Sequence, residues 1–127
     1  MAIYTNLPVY KDTYSLLLNL CMLMPRLPRD SRYTIGQELR KTVMEIILLI
    51  YRANRVRSKC AIISQMRESM LQAQVYVRLL CDMRQISEKK YAELLDQSSS
   101  ISRQLSAWEK SEISKQNNGE TRNLQPE

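Results

Sequence analysis

The stretch RYTIGQELRKTVMEIILLIYRANRVRSK, residues 32–59, limits most narrowly what this chain can fold into. Its apolar side chains at Leu39, Val43, Ile46, Ile50 and Ala53 alternate steps of four and three, which lays a continuous stripe along one side of a helix. Ile47, Leu48 and Leu49 widen the stripe beyond a two-chain seam, so the helix must be covered on more than one side. Thr34 followed by Gln37 predicts a capping box at its start. Its far end carries Arg52, Arg55, Arg57 and Lys59 with no acid between them. One element therefore combines a core-building middle with an end suited to polyanions.

The rest of the chain supplies covering helices. Gly occurs twice and Pro four times in 127 residues, so most of the sequence lacks helix breakers. A first helix is expected from Pro8, a tolerated first-turn position, to about Met24. Its inner face reads Tyr10, Tyr14, Leu17, Leu18, Cys21 and Met24. Pro25 and Pro28 end it, and a basic connection leads to the second helix, which closes near residues 54–56. Ser58 is expected to cap a third helix with Ile62, Met66, Met70, Ala73, Val77 and Leu80 inward. Arg67, Glu68, Gln72, Gln74 and Arg78 take its outer side. Ser87 is the cap candidate for a fourth helix with Glu88 in its first turn, where an acid complements the dipole. Tyr91, Leu94, Ser98, Ile101, Leu105 and Trp108 form its stripe, and Trp108 is expected to seal the bundle, the alternative being an anchor for a subunit contact. Periodicity fails from about residue 112. The expected organisation is a bundle over 1–112 and a disordered polar tail over 113–127.

Four helices with short connections predict an all-α, antiparallel up-down-up-down four-helix bundle. The second and third helices are apolar over a wide arc, so association of subunits is expected to cover what one subunit leaves exposed. No window reaches the roughly 18 uninterrupted apolar residues of a membrane span, and no signal peptide is evident, which predicts a cytoplasmic protein with no membrane partner.

The side-chain inventory limits the chemistry. There is no histidine, which removes the commonest general base and the commonest metal ligand together. Cys21, Cys60 and Cys81 are widely spaced among apolar neighbours and read as buried free thiols. Glu38 and Glu45 share a helix face and read as solvated charges. Ser98, Ser99 and Ser100 have no base nearby, and Gly36 and Gly119 stand alone, so no phosphate loop is present. No catalytic residue, metal site or cofactor is expected. The net charge of +6 is localised: residues 26–59 hold nine Lys/Arg against Asp30, Glu38 and Glu45, and the flanking segments cancel. Arg52, Arg55 and Lys59 share a face if the second helix continues that far, and Arg67 and Arg78 share one on the third. This basic set is read either as a nucleic-acid-binding surface or as an ordinary solubilising one, and repetition in a ring would favour the former.

Three segments carry a resemblance: RYTIGQELR at 32–40, DMRQISEKKY at 82–91 and ISRQLSAWEKS at 101–111. Together they resemble the bacterial four-helix-bundle proteins encoded in intervening sequences of ribosomal RNA genes. More closely, they resemble the accessory variability determinant (Avd) proteins of diversity-generating retroelements. Ser102, Ser106 and Ala107 stand where that family usually has glycine. The resemblance implies a basic, barrel-shaped homopentamer without enzymatic activity. It also implies a reverse transcriptase and its template RNA as partners, in support of mutagenic cDNA synthesis. By motif position Arg78, Arg84 and Arg103 match basic positions of the family. With Arg52, Arg55, Arg57, Lys59 and Arg67, Arg78 and Arg84 complete the expected nucleic-acid-binding set. The alternative expectation is a general interaction bundle whose basic face binds an acidic protein or ribosomal RNA.

Overall fold

The computed structural model describes residues 3–124, with side chains through Asn118. Four long helices carry the fold: α1 Pro8–Leu23, α2 Gln37–Arg55, α3 Cys60–Asp82 and α4 Glu88–Leu124. No strand occurs among the described residues. The chain is an all-α helical bundle, as its periodicity predicts.

The seams of α2, α3 and α4 lie where the spacing puts them, except that in the first turn of α3 Ile63 is fully buried and Ile62 only half-buried. Leu39, Val43, Ile46, Ile50 and Ala53 of α2 have no exposed surface, and Met66, Met70 and Leu80 of α3 are equally closed. Leu94, Ile101 and Leu105 of α4 join the same core, and Trp108 packs against it. Buried Ser98 is accommodated because its hydroxyl donates to the Leu95 carbonyl at 2.9 Å and accepts from Gln74 Nε2 at 3.2 Å. A buried polar atom left without partners would cost more than the bond itself contributes.

The first helix faces the core differently from the expectation. Val9, Leu16, Leu20 and Leu23 are buried, whereas Tyr14 and Leu18 are half exposed and Cys21 is exposed rather than buried. Apolar residues occupy both sides of α1, so periodicity defines two candidate faces, and packing selects the one with the compact leucines. Thr13 enters that face fully buried, with its hydroxyl donating to the Val9 carbonyl at 2.7 Å. Cys60 and Cys81 are half-buried free thiols.

The connection to α2 is continuous with the helix. A short turn at Arg29–Ser31 runs into a π-helical turn at Arg32–Gly36 and then into α2. Thr34 lies inside this turn, and its hydroxyl donates to the Asp30 carbonyl at 2.6 Å, so it is not the expected N-cap. The helical path begins earlier, because Pro28 already supplies the extended residue that precedes it. Arg32 fixes the bend: Nε donates to the Met24 carbonyl, and Nη2 donates to those of Pro25 and Leu27, each at 3.0 Å. Gly36 allows a close approach here: a Cβ would lie 3.0 Å from Leu27 Cδ1, 3.1 Å from Met24 Sδ and 3.1 Å from the Ser31 carbonyl, so these neighbours would have to shift.

At the other end α2 stops at Arg55, and Val56 turns extended with φ −105° and ψ 159°. Lys59 folds back so that Nζ donates to the carbonyls of Ala53 at 2.6 Å and Val56. A cation there satisfies carbonyls at the end of the helix and complements its negative dipole end. Lys59, not Ser58, holds the N-cap position of α3, without a side-chain cap. Ser87 does cap α4, accepting from the Lys90 N–H at 3.0 Å. Arg84 ends the α3 turn in the left-handed region, φ 59°.

Among the described side chains of α4 Glu112 is the last that is buried, and Ile113–Asn118 are exposed. The backbone of the polar segment expected to be disordered from 113 is helical to Leu124, and residues 125–127 of that segment lie outside the described residues. Extending a helix that packing has already nucleated adds one hydrogen bond for each residue fixed, so an apolar stripe is not needed for it to continue.

Candidate nucleic-acid interface

The turn between α2 and α3 gathers the cations at one end of the bundle. Arg52, Arg55 and Arg57 are exposed there. Among the described residues Arg52 and Arg57 form no hydrogen bond or ion pair. Arg55 donates to the Tyr51 hydroxyl and stands 5.3 Å from that ring's centre. An arginine has five donors, so Arg55 keeps most of its capacity for a phosphate. Lys59 is half-buried and already spent on the end of α2. Because α2 ends at Arg55, Lys59 lies in the following turn and does not continue the helix face of Arg52 and Arg55.

α4 contributes a cation that the sequence reading did not single out. Arg57, Ser58, Lys59 and Cys60 line one groove with Glu112, Lys115 and Gln116. Lys115 reaches Glu112 at 3.5 Å, yet its side chain stays 70% exposed, so it remains available to a ligand. Lys115 fell in the segment expected to be a tail. Only the continuation of α4 brings it beside the α2–α3 turn.

The other expected site residues are dispersed or paired. Arg67 meets Glu109 of α4 at 2.5 Å, a contact between neighbouring helices. Arg78 pairs with Asp82 at 3.2 Å one turn along α3. Hydrogen bonds to Asp82 first and Tyr91 second raise the pKa of Arg78, so its charge is secure. Arg84 is exposed beyond the far end of α3. The 23 residues of that helix separate it from Arg57 by roughly 34 Å. Arg52, Arg55, Arg57, Lys59 and Lys115 therefore form one cationic end, Arg67 lies about 10 Å along α3, and Arg78 and Arg84 belong to the opposite end. Glu38 and Glu45 are exposed and form no ion pair among the described residues.

No group of three or more His, Cys, Asp or Glu able to hold a metal occurs among the described residues. No described helix is long and apolar enough to cross a membrane.

Fold and site together define a class: a helical bundle that presents a cationic end whose Arg52 and Arg57 are unpaired among the described residues. The family model described as bAvd-like matches residues 9–112, and the chain belongs to that family. It is a family of accessory, non-catalytic proteins, in agreement with the resemblance carried by the three sequence segments. A search of curated proteins finds no match to this chain.

Proposed function

We propose that this protein is a non-catalytic nucleic-acid-binding accessory subunit that associates with a retroelement reverse transcriptase and its template RNA and supports mutagenic cDNA synthesis in the cytoplasm. The observation that carries the reading is the cluster of Arg52, Arg55 and Arg57, exposed and without a carboxylate partner among the described residues. Family membership gives that cluster its context. Cations left unpaired on a rigid scaffold release counterions when they meet phosphates, which makes binding strong at low salt.

The bundle is antiparallel in this reading. Support comes from the pairs Asp12–Gln104 and Asn19–Gln97 between α1 and α4, and Cys60–Gln116, Arg67–Glu109 and Gln74–Ser98 between α3 and α4. In each set one number rises as the other falls. Subunits assemble into a homopentameric barrel through two uncovered apolar features. One is a ridge of Leu71, Val75 and Leu79 along α3, continued by Met83 at its C-terminal end, and the other is a groove of Leu17, Cys21, Met44 and Leu48 between α1 and α2. A ridge and a groove on different faces suit a head-to-tail contact that closes into a ring. Five copies would then present the cationic end five times.

Gel shifts of structured RNA with rising salt test the binding role. Affinity that falls steeply with salt is expected, and absence of binding at low salt refutes it. Light scattering tests the assembly: a monomer at micromolar concentration refutes the barrel.

A further inference from the structure

Four tyrosines from three parts of the chain meet beside the cationic end. The Tyr4 ring stands edge-on to Tyr10 at 5.3 Å and 87° and edge-on to Tyr51 at 5.1 Å and 79°. Tyr10 and Tyr14 lie more nearly parallel, 25° apart at 6.1 Å. Tyr10 packs against the core, where it needs no ligand to explain it. Tyr14 and Tyr51 differ, being 50% and 40% exposed. Tyr51 is braced on one side by Tyr4, and its hydroxyl accepts a hydrogen bond from Arg55. Its ring is thereby held in place, and the guanidinium is brought next to it.

We propose that Tyr14 and Tyr51, the exposed ends of this run of rings, form with Arg55 a stacking platform for the unpaired bases of single-stranded RNA, while exposed Lys11 on α1 and Arg52 on α2 supply further charge for its phosphates. The inference rests on the RNA-binding reading above and narrows it to unpaired segments. Aromatic rings stack on any base, whereas arginines and a lysine take the phosphates between, the combination that sequence-tolerant single-strand binders use. A duplex hides its base faces and cannot use the rings. It would meet only the charges. Arg55 serves both parts, because the donor it gives to Tyr51 leaves the others free.

The test compares the parent protein with the pair Tyr14→Leu/Tyr51→Leu and the pair Tyr14→Phe/Tyr51→Phe, none of which changes the charge. Fluorescence anisotropy reads affinity for an unstructured RNA strand of about 12 nucleotides, the same strand as DNA, and an RNA duplex of that length. The leucine pair is expected to bind the RNA strand roughly 5- to 150-fold more weakly, as loss of base–ring stacking implies. Duplex affinity and subunit number should stay unchanged, and the phenylalanine pair, which keeps both rings and loses only the Arg55–Tyr51 hydrogen bond, should bind the RNA strand more tightly than the leucine pair. Equal weakening for strand and duplex, an altered subunit number in sedimentation, or binding of the DNA strand but not the RNA strand overturns the proposal. Photo-crosslinking of the parent protein to 5-iodouridine RNA gives a reading independent of how the variants fold. Adducts at Tyr14 or Tyr51 are expected, and adducts confined to other residues overturn it. A parent protein that binds neither strand nor duplex refutes the wider RNA-binding reading, whereas one that binds duplex and strand equally refutes only this one.

Discussion

Replacing Arg52 and Arg57 together by Gln separates phosphate binding from ordinary surface charge. Both side chains are exposed, and neither has a partner among the described residues, so each can give its full charge to a phosphate. For a single strand each neutralised phosphate contributes about 0.7 to the slope of log affinity against log salt. Losing two contacts per bound subunit lowers that slope by about 1.4. Between roughly 50 and 200 mM salt, a fourfold rise, the affinity of the parent protein should then fall about sevenfold further than that of the variant. The internal control is Arg67→Gln with Arg78→Gln, which removes the same charge. Those two arginines are held by Glu109 and Asp82 and must surrender a carboxylate before reaching a phosphate. Exposed ion pairs are weak, so this control should reduce the slope by a smaller amount, not by nothing. The assay is anisotropy of labelled RNA across a salt series, with circular dichroism confirming equal helicity. Equal slope changes in the two variants, or a larger one in the control, refute the assignment of the interface to the α2–α3 end.

Three further outcomes follow from the packing. Lys59→Met removes the cation that closes α2 and should lower stability by about 1 kcal/mol while leaving the RNA salt slope near that of the parent, as read from urea melts and the same titration. A slope drop as large as that of the Arg52/Arg57 pair would return Lys59 to the interface. Gly36→Ala should destabilise by about 1 kcal/mol in thermal melts, because crowding against Leu27, Met24 and the Ser31 carbonyl outweighs the better helix propensity of Ala. A stabilised variant would refute the close approach. Arg32→Lys cannot reproduce a fork that reaches three carbonyls and should cost about 1–3 kcal/mol in urea unfolding, with no loss of RNA affinity at low salt.

The candidate site was legible in part. Arg52, Arg55 and Arg57 stand out in the sequence because no acid interrupts them, and the structure keeps them together at one end. Arg67 and Arg78 share that sign of charge, but their carboxylate partners come from a neighbouring helix and from the next turn, and charge counting does not identify which pairs meet. Lys115 was hidden because a polar segment gives no periodic signal once its apolar stripe has ended, even where the backbone remains helical. The tyrosine group was hidden for a different reason: Tyr10 and Tyr14 share a face of α1, but Tyr4 and Tyr51 come from two other segments, and no local pattern announces that the three meet.

By itself the sequence determined four helices and the inward seams of α2, α3 and α4, because three-four spacing is a local property that a helix converts directly into a face. Tertiary packing alone decided which side of α1 turns inward. Leu16, Leu20 and Leu23 compete there with Tyr14, Leu18 and Cys21, and which set is buried depends on the shape of the neighbours. That choice also leaves Tyr14 half exposed at one end of the run of rings that reaches Tyr51 through Tyr10 and Tyr4. A face with one apolar stripe is settled by its own residues, whereas a helix with two is settled only by what it packs against.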